Sequence, residues 1–270
     1  NLAADDELDV VYIATPHNTH YEQASLCLNK GKAVLCEKPI TVNGGQLEEL
    51  IKLAKKKELF LMEALWTYCL PPIIKAKEWV EAGQIGEINL INVEFGIRRA
   101  RNPEGRLFNP ELAGGSLLDV GIYPLALTCL LVDEELESIT SQAYLGETGV
   151  DEQLAATLKF KNGTIAQLTS SIRTEMNNVG RIYGTEGRIE LPDFWQTKQA
   201  ILESNSHRET FVDHRETIGY NYEAQEVAKS LQAGQLESLR MPLEKSRQLM
   251  RIMDEIRDQI YKDKFSRQYE

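Results

Sequence analysis

Lys38, Asp119 and Tyr123 are the side chains of this sequence best suited to moving a proton. Lys38 stands in Cys36-Glu37-Lys38-Pro39, at the close of a short apolar run. Proline after it biases Lys38 toward extended backbone, and the end of a parallel strand points at the crevice where ligands bind. A lysine in a partly apolar cleft can have a lowered pKa or can lower that of a neighbour. Asp119 and Tyr123 stand four apart in Gly114-Gly115-Ser116-Leu117-Leu118-Asp119-Val120-Gly121-Ile122-Tyr123-Pro124. That spacing puts them about one turn apart on one face of a helix. A carboxylate on an otherwise apolar helix needs a partner. A tyrosine starts near pKa ~10 and needs a cation beside it to act as general acid or base near neutrality. Lys38 is the candidate cation. Each piece also has a plainer explanation: a solvated ion pair at a strand end, or a helix cap beside a core tyrosine.

A third segment, Tyr12-Ile13-Ala14-Thr15-Pro16-His17-Asn18-Thr19-His20, reads as a strand end opening into a helix. Small and hydroxyl residues there let a ligand approach the backbone, although an ordinary loop with a proline and a cap has the same look. His17 and His20 are three apart, but no nearby carboxylate or thiol completes a tetrahedral metal set. No metal is expected, and a helix-start contact to a ligand is the preferred role.

The elements that must hold these residues alternate in the first third. Val10 to Ala14 reads as a strand buried on both faces, and a helix capped by Asn18 or Thr19 runs to Gly31. Ala33 to Cys36 is a second strand. A helix from Asn43 to Lys57 carries Leu47, Leu50, Ile51 and Ala54 on one stripe, and Leu59 to Met62 is a third strand. Strands spaced by helices imply a parallel sheet. Pro71-Pro72 opens the next helix and Gly83 closes it. Glu87 to Ile97 reads as a long strand, residues 98 to 113 as loop, and Ser116 to Leu131 as helix. Beyond residue 136, Leu154 to Phe160 and Ala166 to Ile172 alternate around the turn Asn162-Gly163. Helices at Tyr222 to Leu231 and Leu243 to Tyr261 complete the chain. The expected boundary lies near Trp66 to Pro71, giving residues 1–68 and 69–270, with the C-terminal helices packing back on the first part.

Composition narrows the function. The 270 residues carry 30 Lys plus Arg against 41 Asp plus Glu, a net charge of -11. Such a chain is a poor partner for nucleic acid or anionic lipid, whose binding depends on neutralising phosphates. No apolar run approaches the ~20 residues of a bilayer span, so no membrane is expected. Cys27, Cys36, Cys69 and Cys129 form no C-x-x-C pair and sit in apolar segments. They read as reduced, buried thiols of a cytoplasmic protein. The acidic start of the chain does not read as a signal peptide.

Taken together, the segments resemble the Gfo/Idh/MocA family of NAD(P)-dependent oxidoreductases. The resemblance is carried by Ala14 to His20, by Gly31-Lys32-Ala33-Val34-Leu35-Cys36-Glu37-Lys38-Pro39, by Glu63-Ala64-Leu65-Trp66-Thr67, and by Arg106-Leu107-Phe108-Asn109-Pro110 leading into Gly114 to Tyr123. It covers the whole chain. The branch it is most similar to holds the trans-dihydrodiol dehydrogenases and glucose–fructose oxidoreductases, with tyrosine where inositol dehydrogenases have histidine. The resemblance implies an α/β protein: the C-terminal part of a Rossmann-type parallel sheet domain, plus an α+β domain with an open, mostly antiparallel sheet. It implies NAD or NADP as cofactor and an active site between the two parts. Lys38, Asp119 and Tyr123 match its catalytic positions. Thr15, Pro16, Asn18, His20, Glu37 and Lys38 match its cofactor contacts. Trp66 and Phe95 match aromatic positions bordering nicotinamide and substrate.

The expected reaction is hydride transfer between the cofactor and a secondary alcohol or ketone of a sugar, cyclic polyol or dihydrodiol. Tyr123 moves the hydroxyl proton, Lys38 depresses its pKa, and Asp119 orients substrate or lysine. Two departures bear on this. Tyr68 stands where the family often has arginine. No G-x-G-x-x-G occurs, and that turn would precede Asn1, so tight dinucleotide binding is not expected of residues 1 to 270 alone. The alternative is a truncated, inactive paralogue serving as a scaffold. A homodimer through the second sheet is also expected, because its outer face carries Gln153, Thr157, Gln167, Thr169 and Ser171, polar but little charged.

Overall fold

Two sheets of different character organise the computed structural model, which describes residues 2–205 and 207–266. In the first, β1 (Val10–Ile13), β2 (Ala33–Glu37) and β3 (Leu61–Ala64) run parallel in that order. Helices α1 (His20–Asn29) and α2 (Gly44–Lys57) make the crossovers. The α2 stripe is as the spacing predicts, with Leu47, Leu50, Ile51 and Ala54 buried and the Asn43 side chain accepting from the Gln46 N–H. The start of α1 differs from expectation. A 3-10 turn over His17–Thr19 precedes it, and neither Asn18 nor Thr19 caps it with a side chain. The Thr19 hydroxyl donates to the Thr15 hydroxyl and the Pro16 carbonyl instead. Strand β1 is also not buried on both faces. It is the edge of its sheet, and Tyr12 is 50% exposed.

After α3 (Pro71–Glu81) comes the second sheet. Its strands are β4 (Ile88–Gly96), β5 (Leu136–Leu145), β6 (Asp151–Phe160), β7 (Ile165–Ser171), β8 (Gly180–Gly184), β9 (Gly187–Leu191), β10 (Gln199–Ser204) and β11 (Arg208–Val212). Their order is β11-β10-β9-β8-β4-β7-β6-β5, antiparallel except where β4 pairs with β7. The alternation in β6 and β7 buries Leu154, Ala156, Leu158, Phe160, Ala166 and Leu168 on one face. On the other, Thr157 and Gln167 are exposed, while Ser171 is fully buried and its hydroxyl accepts from the Arg173 and Thr174 N–H groups. Ser171 therefore leaves the expected outer face.

The apolar face is covered by α4 (Ile122–Leu131) and α6 (Leu243–Ser266), with α5 (Tyr220–Gln232) nearer the first sheet. Pro110–Leu131 is long and apolar enough to cross a membrane, contrary to the sequence-based expectation, but it is buried within the fold. Such a stretch is a core element between layers. Helix α6 binds both parts. Arg247 pairs with Glu48, Asp254 accepts from the Gly44 N–H, and Gln259 bonds Ser141 and Ile139. The four cysteines are free and buried.

Candidate active site

Lys38 leaves the end of β2 and turns toward the start of α4. Its ammonium donates to the Asp119 carbonyl at 2.5 Å and lies 3.4 Å from Asp119 Oδ1. Asp119 does not sit on a regular α-helix. Pro124 has no N–H for the Val120 carbonyl, and its ring crowds that carbonyl. A wider π-type turn over Leu117–Gly121 accommodates it before α4 proper begins. Such turns often stand at functional sites, and here the turn aims Asp119 at Lys38.

Asp119 is the hub of the charge cluster. Arg106 Nη1 donates to its Oδ1 at 2.6 Å, and His17 Nε2 is 3.8 Å away. Burial alone would raise its pKa, but the Lys38 and Arg106 charges outweigh burial and hold it at about 2. For His17, burial and then Lys38 push the imidazole down to about 4, so it is neutral near pH 7. Its Nδ1 faces the Ala113 carbonyl at 3.2 Å, which directs Nε2 to the cluster. The cleft these residues share is about 290 Å³, with Thr15, Pro16, His17, Lys38, Arg106 and Asp119 among its walls. A larger depression of about 840 Å³ lies between α2 and α6, away from this chemistry.

Tyr123 completes the set with one difference from expectation. Lys38 Nζ lies over its ring, 4.9 Å from the centroid, and is held by Asp119. Burial raises the Tyr123 pKa above its usual value, opposed by the Trp66 indole, whose Nε1–H donates to the hydroxyl at 3.1 Å. The Tyr123 pKa is therefore raised rather than depressed in this arrangement, because burial outweighs the lowering influences. Among the described residues the Tyr123 O–H donates to no protein acceptor, so its proton is free for a ligand.

Aromatic side chains pack around Tyr123 and on one another. Phe95 meets Tyr123 edge-on at 5.4 Å and stacks on Trp195 at 5.2 Å. Trp66 stacks on Tyr220 at 4.6 Å. The Trp195 indole nitrogen is buried without an acceptor among the described residues. Tyr68, in the position where arginine was expected, donates to the Ala126 carbonyl at 2.8 Å and serves the core.

The remaining expected contacts divide. Thr15 and Pro16 are exposed in the cleft wall, and Asn18, also exposed, donates its amide to the Glu111 carbonyl. Glu37 accepts from the Lys38 N–H and from the Tyr12 hydroxyl. His20 is fully buried. Its two ring nitrogens sit 2.8 Å from the Pro39 and Thr15 carbonyls, so it ties two strand ends together. His17, Arg106, Trp195 and Tyr220 are site residues not assigned from sequence. His17 had a signal in its place in the strand-end segment, and Arg106 in the Arg106-to-Pro110 segment that carries the resemblance; Trp195 and Tyr220 had none.

A cleft at the ends of parallel strands, with a buried lysine and a carboxylate in its wall and a tyrosine under the lysine, defines a class. Residues 1–65 match the oxidoreductase family with an NAD-binding Rossmann fold, and residues 73–190 match the GFO/IDH/MocA C-terminal domain. The chain belongs to the GFO/IDH/MocA family of nicotinamide-dependent oxidoreductases. It is 34% identical over 267 residues to trans-1,2-dihydrobenzene-1,2-diol dehydrogenase of Xenopus tropicalis, covering 96% of this chain and 80% of that protein. Identity to D-xylose 1-dehydrogenase (NADP(+)) of Hypocrea jecorina is 33%, over 94% of this chain and 73% of the relative. Among solved structures, the 3-ketoreductase KijD10 of Actinomadura kijaniata, in complex with NADP and TDP-benzene, superposes with a TM-score of 0.83 at 26% identity, over 96% of this chain and 80% of that one.

Proposed function

We propose that this chain takes part in NAD(P)-dependent interconversion of a secondary alcohol and a ketone on a sugar, cyclic polyol or dihydrodiol. The single observation that carries the reading is the Tyr123 hydroxyl: its oxygen is engaged by Trp66, its proton is uncommitted, and Lys38 is anchored beside it. The residues present fit a nicotinamide cofactor, since a buried cation and exposed Thr15 and Pro16 share the cleft at the strand ends. When bound, the cofactor supplies or accepts the hydride. Tyr123 then holds the proton of the substrate hydroxyl, and its raised pKa makes it a donor near neutrality. Lys38 Nζ is the second donor to the substrate oxygen. Asp119 fixes the lysine's direction and balances its charge. Trp66, Phe95, Trp195 and Tyr220 stack in pairs beside Tyr123 and shield its hydroxyl from water. The names of the curated relatives, a dihydrodiol dehydrogenase and a xylose dehydrogenase, support that substrate range.

Residues 1–68 are read as the cofactor-binding part and 69–270 as the substrate and assembly part. The polar outer face of the second sheet, with Ala155, Thr157 and Gln167 exposed, supports a homodimer through that face in a cytoplasmic protein. The test is turnover across a panel of sugars, polyols and dihydrodiols with NAD and NADP, read from the absorbance of the reduced cofactor. Turnover on one of these classes supports the reading. Cofactor turnover on none of them, with intact fold, overturns it. Light scattering showing only monomer at tens of micromolar, on the order of a weak interface's affinity, counts against the dimer. No observation favours the scaffold alternative.

A further inference from the structure

The turn that carries Asp119 begins without a local cap. Ser116 makes no side-chain bond to the N–H groups of that turn, and its hydroxyl donates to Ser170 instead. The first uncapped donor, the buried Leu117 N–H, is satisfied from another layer. Asp151 Oδ2, 34 residues further along the chain, accepts it at 2.6 Å. A carboxylate at a helix start both fills a vacant donor and meets the positive end of the dipole.

Asp151 reaches that point through an irregularity of the sheet. Regular alternation in β6 sends Ala155, Thr157 and Lys159 outward, and Asp151 shares their parity. Pairing with β5 steps by one residue there while β6 steps by two, from Tyr144–Gln153 to Leu145–Asp151. A bulge of this kind re-aims a side chain. Asp151 is consequently buried, only 3% exposed. Its other oxygen accepts from the Tyr261 hydroxyl of α6 at 3.2 Å. The backbone opposite is shaped to admit it. Gly115 has φ +119, and a Cβ built there would lie 2.2 Å from Asp151 Oδ1. This accounts for the second glycine of Gly114-Gly115. Burial pushes the Asp151 pKa up to about 6 against the pull of these hydrogen bonds, so the group is costly to keep where it is.

We propose that Asp151 is a positioning residue of the active site: from strand β6 it caps Leu117 and so fixes the π-type turn in which Asp119 meets Lys38 and Arg106. The proposal rests on the reading of Lys38, Asp119 and Tyr123 as the reacting set, and it deepens that reading.

The experiment compares the full chain with Asp151→Ala and Asp151→Asn. Asparagine keeps an oxygen for the Leu117 N–H and turns its amide to the Tyr261 oxygen, so it is the variant that preserves the fold. The first readout needs no turnover. It is the titration of the Asp119 carboxyl by carbon NMR on aspartate-labelled protein, assigned with Asp119→Asn. In the unmodified chain the signal stays flat from about pH 8 to about pH 4, well below the ordinary carboxylate range's upper end. Asp151→Ala raises the midpoint by about one unit or more, because a loosened turn leaves Asp119 buried but poorly aligned with its cations. Asp151→Asn gives a smaller rise. An unchanged Asp119 midpoint in the folded variants, whatever the loss of thermal stability, makes Asp151 a structural residue only and overturns the proposal. The second readout is kcat. Asp151→Ala lowers it roughly tenfold with cofactor KM nearly unchanged, and adds nothing further in an Asp119→Asn background. Equal losses in both backgrounds contradict a role through Asp119. Absence of turnover in the unmodified chain counts against the proposed function, while the carboxyl titration still decides this proposal.

Discussion

Asp119→Asn is the perturbation whose size the structure sets most directly. The substitution keeps the volume and one oxygen acceptor for Lys38 and Arg106 but removes the charge. Asp119 has a side chain 7% exposed and a pKa held at about 2, against an ordinary carboxyl near ~3.9. Its folded pKa is depressed, so its contribution to stability is fully present above the unfolded pKa and is lost as pH falls through the folded one. Roughly two units at ~1.36 kcal/mol each give about 3 kcal/mol at pH 7. Burial leaves little solvent to screen this, so no discount for exposure applies. Urea unfolding of both proteins from about pH 7 to about pH 3 measures the difference in stability at each pH. The variant is less stable by about 3 kcal/mol at pH 7, and the gap narrows below about pH 4 toward zero near pH ~2. A gap that stays constant through this range, or is under about 0.5 kcal/mol at pH 7, refutes the charge cluster as described.

Other consequences follow from the same geometry. His17 is neutral down to about pH 4 in the folded chain, so its ring proton NMR signal should not shift between pH ~8 and ~5.5; a midpoint near the ordinary ~6.5 refutes the burial argument. Because the unfolded chain takes up that proton first, His17 also makes stability fall as pH drops from about 6.5 toward 4. Gly115→Ala forces a Cβ against Asp151 at a positive φ and should cost about 1–3 kcal/mol in urea unfolding, with a loss under about 0.5 kcal/mol contradicting the close approach. Trp66→Phe removes the indole donor to Tyr123 but keeps an aromatic face for Tyr220. At about 1 kcal/mol for the hydrogen bond, kcat/KM should fall about fivefold, and an unchanged value separates Trp66 from the chemistry.

What could be read from sequence was whatever rests on period and local chemistry. The α2 stripe from Leu47 to Ala54 and the Asn43 cap follow from spacing and from one side-chain bond, and both are present. The parallel order of the first three strands follows from their helical crossovers. Lys38 was legible because a strand end and a proline fix it, and it meets Asp119 as expected. Other features depend on distant chain. Nothing near Arg106 announces that its guanidinium reaches Asp119, since a loop sets that path. Trp195 and Tyr220 come to Phe95 and Trp66 from segments a hundred residues or more away. Asp151 has the parity of the outward residues of β6, but a bulge interrupts the period and turns it inward. The π-type turn had a local cause in Pro124, but a spacing rule built on regular helix passes over it. Strand β1 looked buried from its run of apolar residues, yet its position at a sheet edge exposes Tyr12.

The most direct test of the central claim is single-site turnover with Tyr123→Phe in the presence of a substrate identified from the panel. Phenylalanine keeps the ring that packs on Phe95 and sits under Lys38, and removes only the hydroxyl whose proton is uncommitted. General acid–base catalysis is worth about 100- to 10,000-fold, so kcat should fall by that range while nicotinamide binding, measured by fluorescence titration, stays within about twofold. A kcat reduced by less than about tenfold, with binding intact, would mean that Tyr123 is a core tyrosine and that the proton is moved elsewhere.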